Sequence, residues 1–349
     1  EWQGPKPESG ISSAAREARY RLLCQAAQDV GANIILTGHT ADDQMETVAM
    51  RSTRGSAPDR PGLAGMAEVV LLHRRQWLVR PLLRTRRAAI RGYLRQKGHT
   101  WAEDPSNGDI RYERARTRKV LEGGSLDRLL EIDAAASRRC GLSEAAAGLL
   151  AEHASVHNAV LMRISPAGLA AEPAVLRYGL AHSAAVLGGR EQAPGKSSME
   201  RVMRALVQGE RTRIAAGRVI FDFRRDGLFL CRETRDLPDL TVPAQAILPW
   251  DGRFRVANTG TAAVSVGPGD VEGRAAELFP DAPASVALRA VRALPDVKRD
   301  RDAVVFKPIL APFDRFLPQF DLKLACVLAA LFGCDNFPPF PLVDSEWKR

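Results

Sequence analysis

The sequence predicts an α/β fold in its first third, followed by a helical domain and a smaller mixed α+β domain. Three observations carry this. Asn33 to Thr37 is a short apolar run rich in β-branched residues, which reads as a buried strand. It leads directly into Gly38-His39-Thr40-Ala41-Asp42-Asp43-Gln44-Met45-Glu46-Thr47, where Met45, Val48 and Ala49 recur at helical spacing. From Ser125 to Gln208 the chain is Ala/Leu-rich with helical periods, and beyond residue 240 it becomes Pro-rich and mixed. The expected domains are residues 1–122, 123–240 and 241–349.

Composition bounds the function. The chain has 349 residues, 45% hydrophobic and 26% charged, enough to bury two or three cores. No apolar run reaches the about 18 residues of a membrane-spanning helix, and no signal peptide opens the chain. Five scattered cysteines form no Cys-x-x-Cys pair, which points to reduced thiols and a cytoplasmic location. The net charge is +9, yet Arg74 to Lys119 alone holds fourteen Lys/Arg against four Asp/Glu, a net +10. One basic segment in an otherwise near-neutral chain is the footprint of a polyanion partner, or else an Arg-rich solvated face.

In chain order, Ser12 or Ser13 caps a first helix that runs to about Val30 and stops at Gly31. Arg16 and Arg19 stand one turn apart near its start, where a cation opposes the helix dipole. Thr40 is the expected N-cap of the second helix, with Asp43 completing a capping box. Asp43 and Glu46, at i and i+3, share a face. Two carboxylates and His39 thus gather at one strand end, where α/β sheets bind ligands; a solvated acidic first turn is the plainer account. Ser56 to Met66 reads as a mobile Gly/Pro-rich loop. Glu68 to Leu72 and Trp77 to Leu83 form a hairpin around His73 to Gln76.

Thr85 caps a helix to Lys97, with Ala89, Ile90, Tyr93 and Leu94 facing the core. Arg84, Arg87, Arg91 and Arg95 form a basic stripe suited to RNA phosphates. Arg111, Arg114, Arg116, Arg118 and Lys119 follow the turn-rich Trp101 to Asp109, and alternating arginines there suit a phosphate or base contact. Four or five helices fill 125–208. Gly195-Lys196-Ser197 fails as a Walker A loop because Arg190 stands where the first Gly belongs. His153, His157 and His182 read as surface or satisfied helix residues rather than metal ligands. Arg218 to Phe223 and Leu228 to Arg232 form a hairpin with an Asp-Gly turn. Thr241 to Pro243 reads as a linker, Ile247 to Val256 as a β pair, and Leu322 to Phe332 as an apolar helix.

His39-x-x-Asp42-Asp43-Gln44-x-Glu46-Thr47, Arg54-Gly55-Ser56, Gly62-Leu63-Ala64-Gly65-Met66, Arg80-Pro81-Leu82-Leu83 and Glu103-Asp104-Pro105-Ser106-Asn107 occur in that order. With Ala15 to Tyr20 and Arg114-x-Arg116-x-Arg118, this series over residues 14–118 resembles the tRNA(Ile)-lysidine synthetase family, of the PP-loop ATP pyrophosphatase class. The resemblance implies a partial doubly wound parallel-sheet PP-loop domain. It implies ATP and Mg2+ as cofactors, and lysine and tRNA(Ile) with a CAU anticodon as partners. The reaction implied is lysine ligation to the wobble cytidine through an adenylated cytidine. By resemblance Asp43 and Glu46 hold lysine, His39 touches the nucleotide or cytidine, and Arg19 and Arg118 lie at the reaction site. Asp42 supports the site or a metal. Ala115 departs from the family, where Asn is common.

The family's Ser-Gly-Gly-x-Asp-Ser nucleotide loop occurs nowhere in the chain. It belongs upstream of Glu1, so the expectation is an N-terminally truncated chain that is inactive alone, with an exposed sheet edge. The reading allows a homodimer. The alternatives are another PP-loop tRNA-modifying enzyme, such as a thiolase or an amidating pyrophosphatase, and a non-catalytic tRNA-binding fragment. A thiolase needs catalytic cysteines, and none lies near His39 or Arg118.

Overall fold

A computed structural model of the chain describes residues 11–53, 61–103, 116–117, 126–270, 273–297 and 303–341. The chain divides into two compact units. The first comprises residues 1–141, 316–320 and 338–349, and the second comprises 142–315 and 321–337.

The first unit is built on a four-stranded mixed sheet. Its strands are β1 (Ile34–Leu36), β2 (Val69–Leu72), β3 (Gln76–Val79) and β15 (Phe316–Pro318), in the order β1-β3-β2-β15. β1 runs parallel to β3, with Ile34 opposite Trp77, and the other two pairings are antiparallel. The β2–β3 hairpin turns through His73 and Arg74, both left-handed at φ 49° and 56°, a turn that matches strand twist. Helices α1 (Ile11–Asp29), α2 (Ala41–Ser52) and α3 (Arg87–Gln96) accompany the sheet, as does the first part of α4 (Leu126–His153). Gly31, at φ +69°, ends the α1 segment as expected of a left-handed C-cap residue. Cys24 and Ala27 of α1 pack with Ile35, Val70, Leu72, Leu78 and Phe320 to form the core.

Three local expectations change here. β1 lies at the edge of the described sheet and is buried only on one side, with Ile35 in the core and Leu36 68% exposed. The loop expected to be mobile is packed over Pro61 to Met66, where Ala64 and Met66 are buried; its residues 56–60 lie outside the described set. α3 starts one residue late, with Arg86 at its N-cap, and buries no residue. Ala89 and Tyr93 are exposed, and only Ile90 and Leu94 are half-buried. A helix of this polarity carries too few apolar positions for a broad buried stripe.

The second unit holds the remaining three sheets. A five-stranded antiparallel sheet joins β4 (Ala154–His157), β5 (Leu161–Ile164), β6 (Arg213–Ala216), β7 (Val219–Arg224) and β8 (Gly227–Arg232), in the order β4-β5-β8-β7-β6. Helices α5 (Pro166–Leu169), α6 (Pro173–Leu187) and α7 (Lys196–Val207) lie between β5 and β6 in sequence. The β4–β5 hairpin corrects the all-helical reading of this stretch. Its tip, Asn158 and Ala159, takes positive φ, and Val156, Val160 and Met162 supply a β-like alternation hidden in an Ala/Leu-rich background. The β7–β8 turn is Arg225-Asp226, with Gly227 already paired to Arg224.

Two three-stranded sheets complete the unit. One is β10 (Ile247–Trp250), β11 (Phe254–Asn258) and β14 (Val304–Pro308); the other is β9 (Leu240–Val242), β12 (Val264–Pro268) and β13 (Pro295–Val297). β9 occupies the expected linker, because Val242 is fully buried in the core with Trp250, Val256 and Val266. Helices α8 (Ala275–Leu278), α9 (Ala284–Arg292), α10 (Ala311–Asp314) and α11 (Leu322–Phe332) follow. Asp251, at the β10–β11 turn, has a fully buried carboxylate that accepts from Arg232 (3.0 Å), Arg253 (2.6 Å) and Arg218. Asp222 on β7 gathers Arg213, Arg224 and Arg289 in the same way, at 3.1, 3.0 and 3.4 Å.

Candidate active site at the β1–α2 turn

The backbone sets this site. The Thr37 N–H donates to Val79 O at 3.0 Å, carrying the β1–β3 pairing one residue past the strand. The chain then turns through Gly38 and His39 into Thr40, an extended N-cap at φ −114°. The Asp43 carboxylate reaches back to the cap. Its Oδ2 accepts from the Thr40 N–H at 2.8 Å and from the Thr40 hydroxyl at 2.7 Å, the expected capping box. The first turn of α2 therefore holds one acidic side chain in a defined rotamer.

Packing orders the rest of the helix. Gln44 is buried and exchanges two hydrogen bonds with the Met66 backbone, 2.9 Å as donor and 2.6 Å as acceptor. Arg51 donates to Gly62 O and Gly65 O at 3.0 and 2.8 Å. These bonds pin the 61–66 segment across α2. Gly65, left-handed at φ +68°, has no room for a side chain, since a Cβ there would collide with Gln44 Oε1.

His39 is half-buried, with Nδ1 3.0 Å from Thr37 Oγ1. Glu46 is 2% exposed, an unusual burial for a carboxylate. Arg87 Nη2 faces it at 3.8 Å and faces Asp43 Oδ1 at 3.4 Å. Asp42 accepts from the Arg87 N–H at 2.7 Å, and its other oxygen lies 3.3 Å from Arg86. Asp43, Glu46 and His39, read from the sequence as one strand-end cluster, thus share the start of α2, and Arg87 joins the two carboxylates. Sequence spacing carried no sign of Arg87 here, because the pairing links two helices far apart in the chain.

The cations lie nearby in sequence but in varied settings. Arg19 on α1 is exposed and lines a shallow groove of about 300 Å³ with Ala15, Ala18, Leu22 and Leu23. Arg16 stacks over Tyr20 at 5.2 Å and Phe316 at 5.8 Å. Arg80, at the end of β3, is 1% exposed and meets no carboxylate among the described residues. It donates to Ala67 O at 2.6 Å and to the Tyr20 hydroxyl at 3.3 Å, and its Nε finds no acceptor there. Burial pushes its pKa below the usual guanidinium range, the Tyr20 oxygen opposes that, and Arg16 adds to it. Sequence reasoning missed Arg80 as a buried cation; the only signal was its place in Arg80-Pro81-Leu82-Leu83.

The expected basic stripe is not continuous. Arg84 precedes α3 and meets Glu68 at 2.9 Å and Asp133 at 3.6 Å. Arg87 turns toward α2. Arg91 pairs with Glu103 at 2.5 Å, and Arg91 and Arg95 both lie over Trp101, at 5.4 and 5.3 Å. Arg116 is exposed in a helical turn, while Arg114 and Arg118 lie outside the described residues. Among the described residues no three metal-ligating side chains meet, and no helix is long and apolar enough to cross a membrane.

Comparison with known proteins identifies the family. Residues 2–123 match the profile of a PP-loop domain. Over 98% of its length the chain is 39% identical to the tRNA(Ile)-lysidine synthase of Rhizobium meliloti, covering 79% of that protein. It is 38% identical to the enzyme of that name from Mesorhizobium japonicum, with 98% and 80% covered. For the Brucella canis enzyme the identity is 35%, with 95% and 80% covered. These alignments span both compact units rather than the PP-loop part alone, and on them the chain belongs to the tRNA(Ile)-lysidine synthase family.

Proposed function

We propose that the protein ligates lysine to the wobble cytidine of a tRNA(Ile) with a CAU anticodon, using ATP. The supporting observation is the carboxylate pair Asp43 and Glu46 at the strand end of a PP-loop-type unit, one of them 2% exposed and both facing a cation. Carboxylates so placed suit an ammonium group. In this reading the C2 carbonyl oxygen of the cytidine attacks the α-phosphorus of ATP and pyrophosphate leaves. The lysine ε-amine, having lost a proton, then attacks C2, and AMP leaves with the oxygen. Asp43 and Glu46 hold the ε-ammonium and are placed to take up its proton. His39 contacts the nucleotide or the cytidine, and Asp42 keeps the turn in place.

Arg19 and Arg118 offset the charge of the phosphates and the adenylate. The described residues fit an anion: Arg16 and Arg19 set two cations on successive turns of α1, and Arg80 adds a buried third. Mg2+, when bound, neutralises phosphate charge, and such an ion is held mostly by phosphate oxygens and water with one or two carboxylates. Arg84, Arg91, Arg95, Arg114 and Arg116 take the tRNA phosphates, with Trp101 and Tyr93 as neighbouring aromatic faces. The reading places the protein in the cytoplasm with its tRNA and includes a homodimer, which the mass in solution tests.

The test is lysine incorporation. The chain, and the product of its reading frame extended upstream of Glu1, are each given ATP, Mg2+, labelled lysine and a CAU tRNA(Ile) transcript. Label in the tRNA that requires ATP and disappears when the wobble C is replaced supports the reading. Asp43→Asn and Glu46→Gln should each raise the KM for lysine; unchanged KM and turnover in both would remove their assignment. Tight tRNA binding without label in either product would move the protein to another modification or to a binding role.

A further inference from the structure

We infer that Arg87 belongs to the lysine site, as the positioning residue that sets the Asp43–Glu46 pair for an ammonium, and not to the tRNA surface. The inference rests on the functional reading above. A single nitrogen, Nη2, faces both carboxylates, at 3.4 Å from Asp43 Oδ1 and 3.8 Å from Glu46 Oε1. Its placement is built into the backbone. The Arg87 N–H donates to Asp42 Oδ2 at 2.7 Å, and the Ala41 N–H donates to Thr85 O at 3.0 Å, so the starts of α2 and α3 are tied together. Arg87 is the first residue of α3, where a cation works against the helix dipole. Helix stability therefore gives no reason for an arginine there; the carboxylates of α2 do.

The two oxygens of Asp43 divide the work. Oδ2 accepts two hydrogen bonds from Thr40 and holds the cap. Oδ1 is turned toward Arg87 and, through it, toward Glu46. The Arg87 distances exceed the about 2.7–2.9 Å of a tight charge-assisted hydrogen bond. Arg87 thus acts as a nearby charge that steadies both carboxylates rather than as a clamp that locks them. An ammonium carries three donors and suits a pair of carboxylates held at one spacing. Without the guanidinium, like charges at i and i+3 repel, and Glu46, deep in the unit, loses a cation facing it. The pair would then spread, and the substrate would have to bring it together on binding.

The experiment measures KM for lysine and KM for tRNA separately, with kcat, in Arg87→Met, Arg87→Lys and Arg91→Met of the lysine-incorporating protein. Arg87→Met should raise the lysine KM by about tenfold or more, the loss of one charged interaction. Its tRNA KM and its kcat at saturating lysine should stay near those of the wild type, and Arg87→Lys should recover most of the lysine KM. Arg91→Met should do the reverse, raising the tRNA KM alone. If Arg87→Met does not fold, Arg87→Gln carries the same expectation. An unchanged or lowered lysine KM, or a rise confined to tRNA, overturns the inference. Absence of lysine incorporation by the wild type instead overturns the functional reading on which it rests.

Discussion

Cys231 shows how a single side chain couples to its surroundings. It lies on β8, 1% exposed, with Arg232, Arg253 and Arg289 around it. Burial pushes the thiol from its ordinary 9.0 up to about 11, and the three arginines only partly oppose this. In the unfolded chain the thiol ionises near 9, while the folded chain keeps the proton until about 11. Stability is therefore full below pH 9 and falls as pH rises toward 11, by about 2–3 kcal/mol. Urea midpoints across that range should fall more steeply in the wild type than in Cys231→Ala. At this scale the sequence was legible where chemistry is local. Thr40 and Asp43 form the cap their spacing announces, since a cap needs only neighbours. Arg87 and Arg80 were not legible, because their partners come from other elements.

At the scale of elements, the Asp251 and Asp222 clusters share a composition and differ in burial. Asp251 holds the β10–β11 turn to Arg218 of the β6–β7 turn and to Arg232 of β8, with both the acid and Arg232 nearly without exposure. Asp251→Ala leaves three cations without their acid and should cost about 3–5 kcal/mol. Arg213, at the Asp222 cluster, is 55% exposed, and Arg213→Ala should cost under about 1 kcal/mol. Chemical denaturation of the two variants reads this contrast directly, and equal losses would refute it. The β4–β5 hairpin and β9 mark where reading by period fails. Strands of three or four residues present too few positions to show alternation, and their pairing energy comes from partners that local pattern does not reveal. α11, long and apolar, was read to the residue, because its periodicity is internal to it.

At the scale of the whole molecule, charge is concentrated rather than spread. The net +10 between Arg74 and Lys119 lies in the first unit, so polyanion binding should depend steeply on salt. Replacing Arg91 and Arg95 by Ala should reduce the slope of log K against log salt by about 0.7–0.9 for each phosphate these arginines neutralise. A filter-binding titration at several salt concentrations measures this; an unchanged slope would mean that these two side chains serve Trp101 and Glu103 alone. The fold class was legible as α/β at the start followed by mixed structure. The return of residues 316–320 to the first unit was not, since nothing in a three-residue strand names a partner so far upstream.

That returning strand has a consequence for synthesis. β2 gains its outer neighbour only when Phe316 to Pro318 leave the ribosome, and Trp77 gains its acceptor, Pro339 O, later still. At about 5–20 residues per second, the edge of β2 stays bare for roughly ten to fifty seconds after it is made. A bare apolar strand invites pairing with other chains. A nascent chain stopped after Arg315 should therefore be recovered in the insoluble fraction, whereas one stopped after Pro341 should be soluble. The order of manufacture leaves one strand of this sheet waiting on a neighbour made far later, and chaperone demand should peak in that interval.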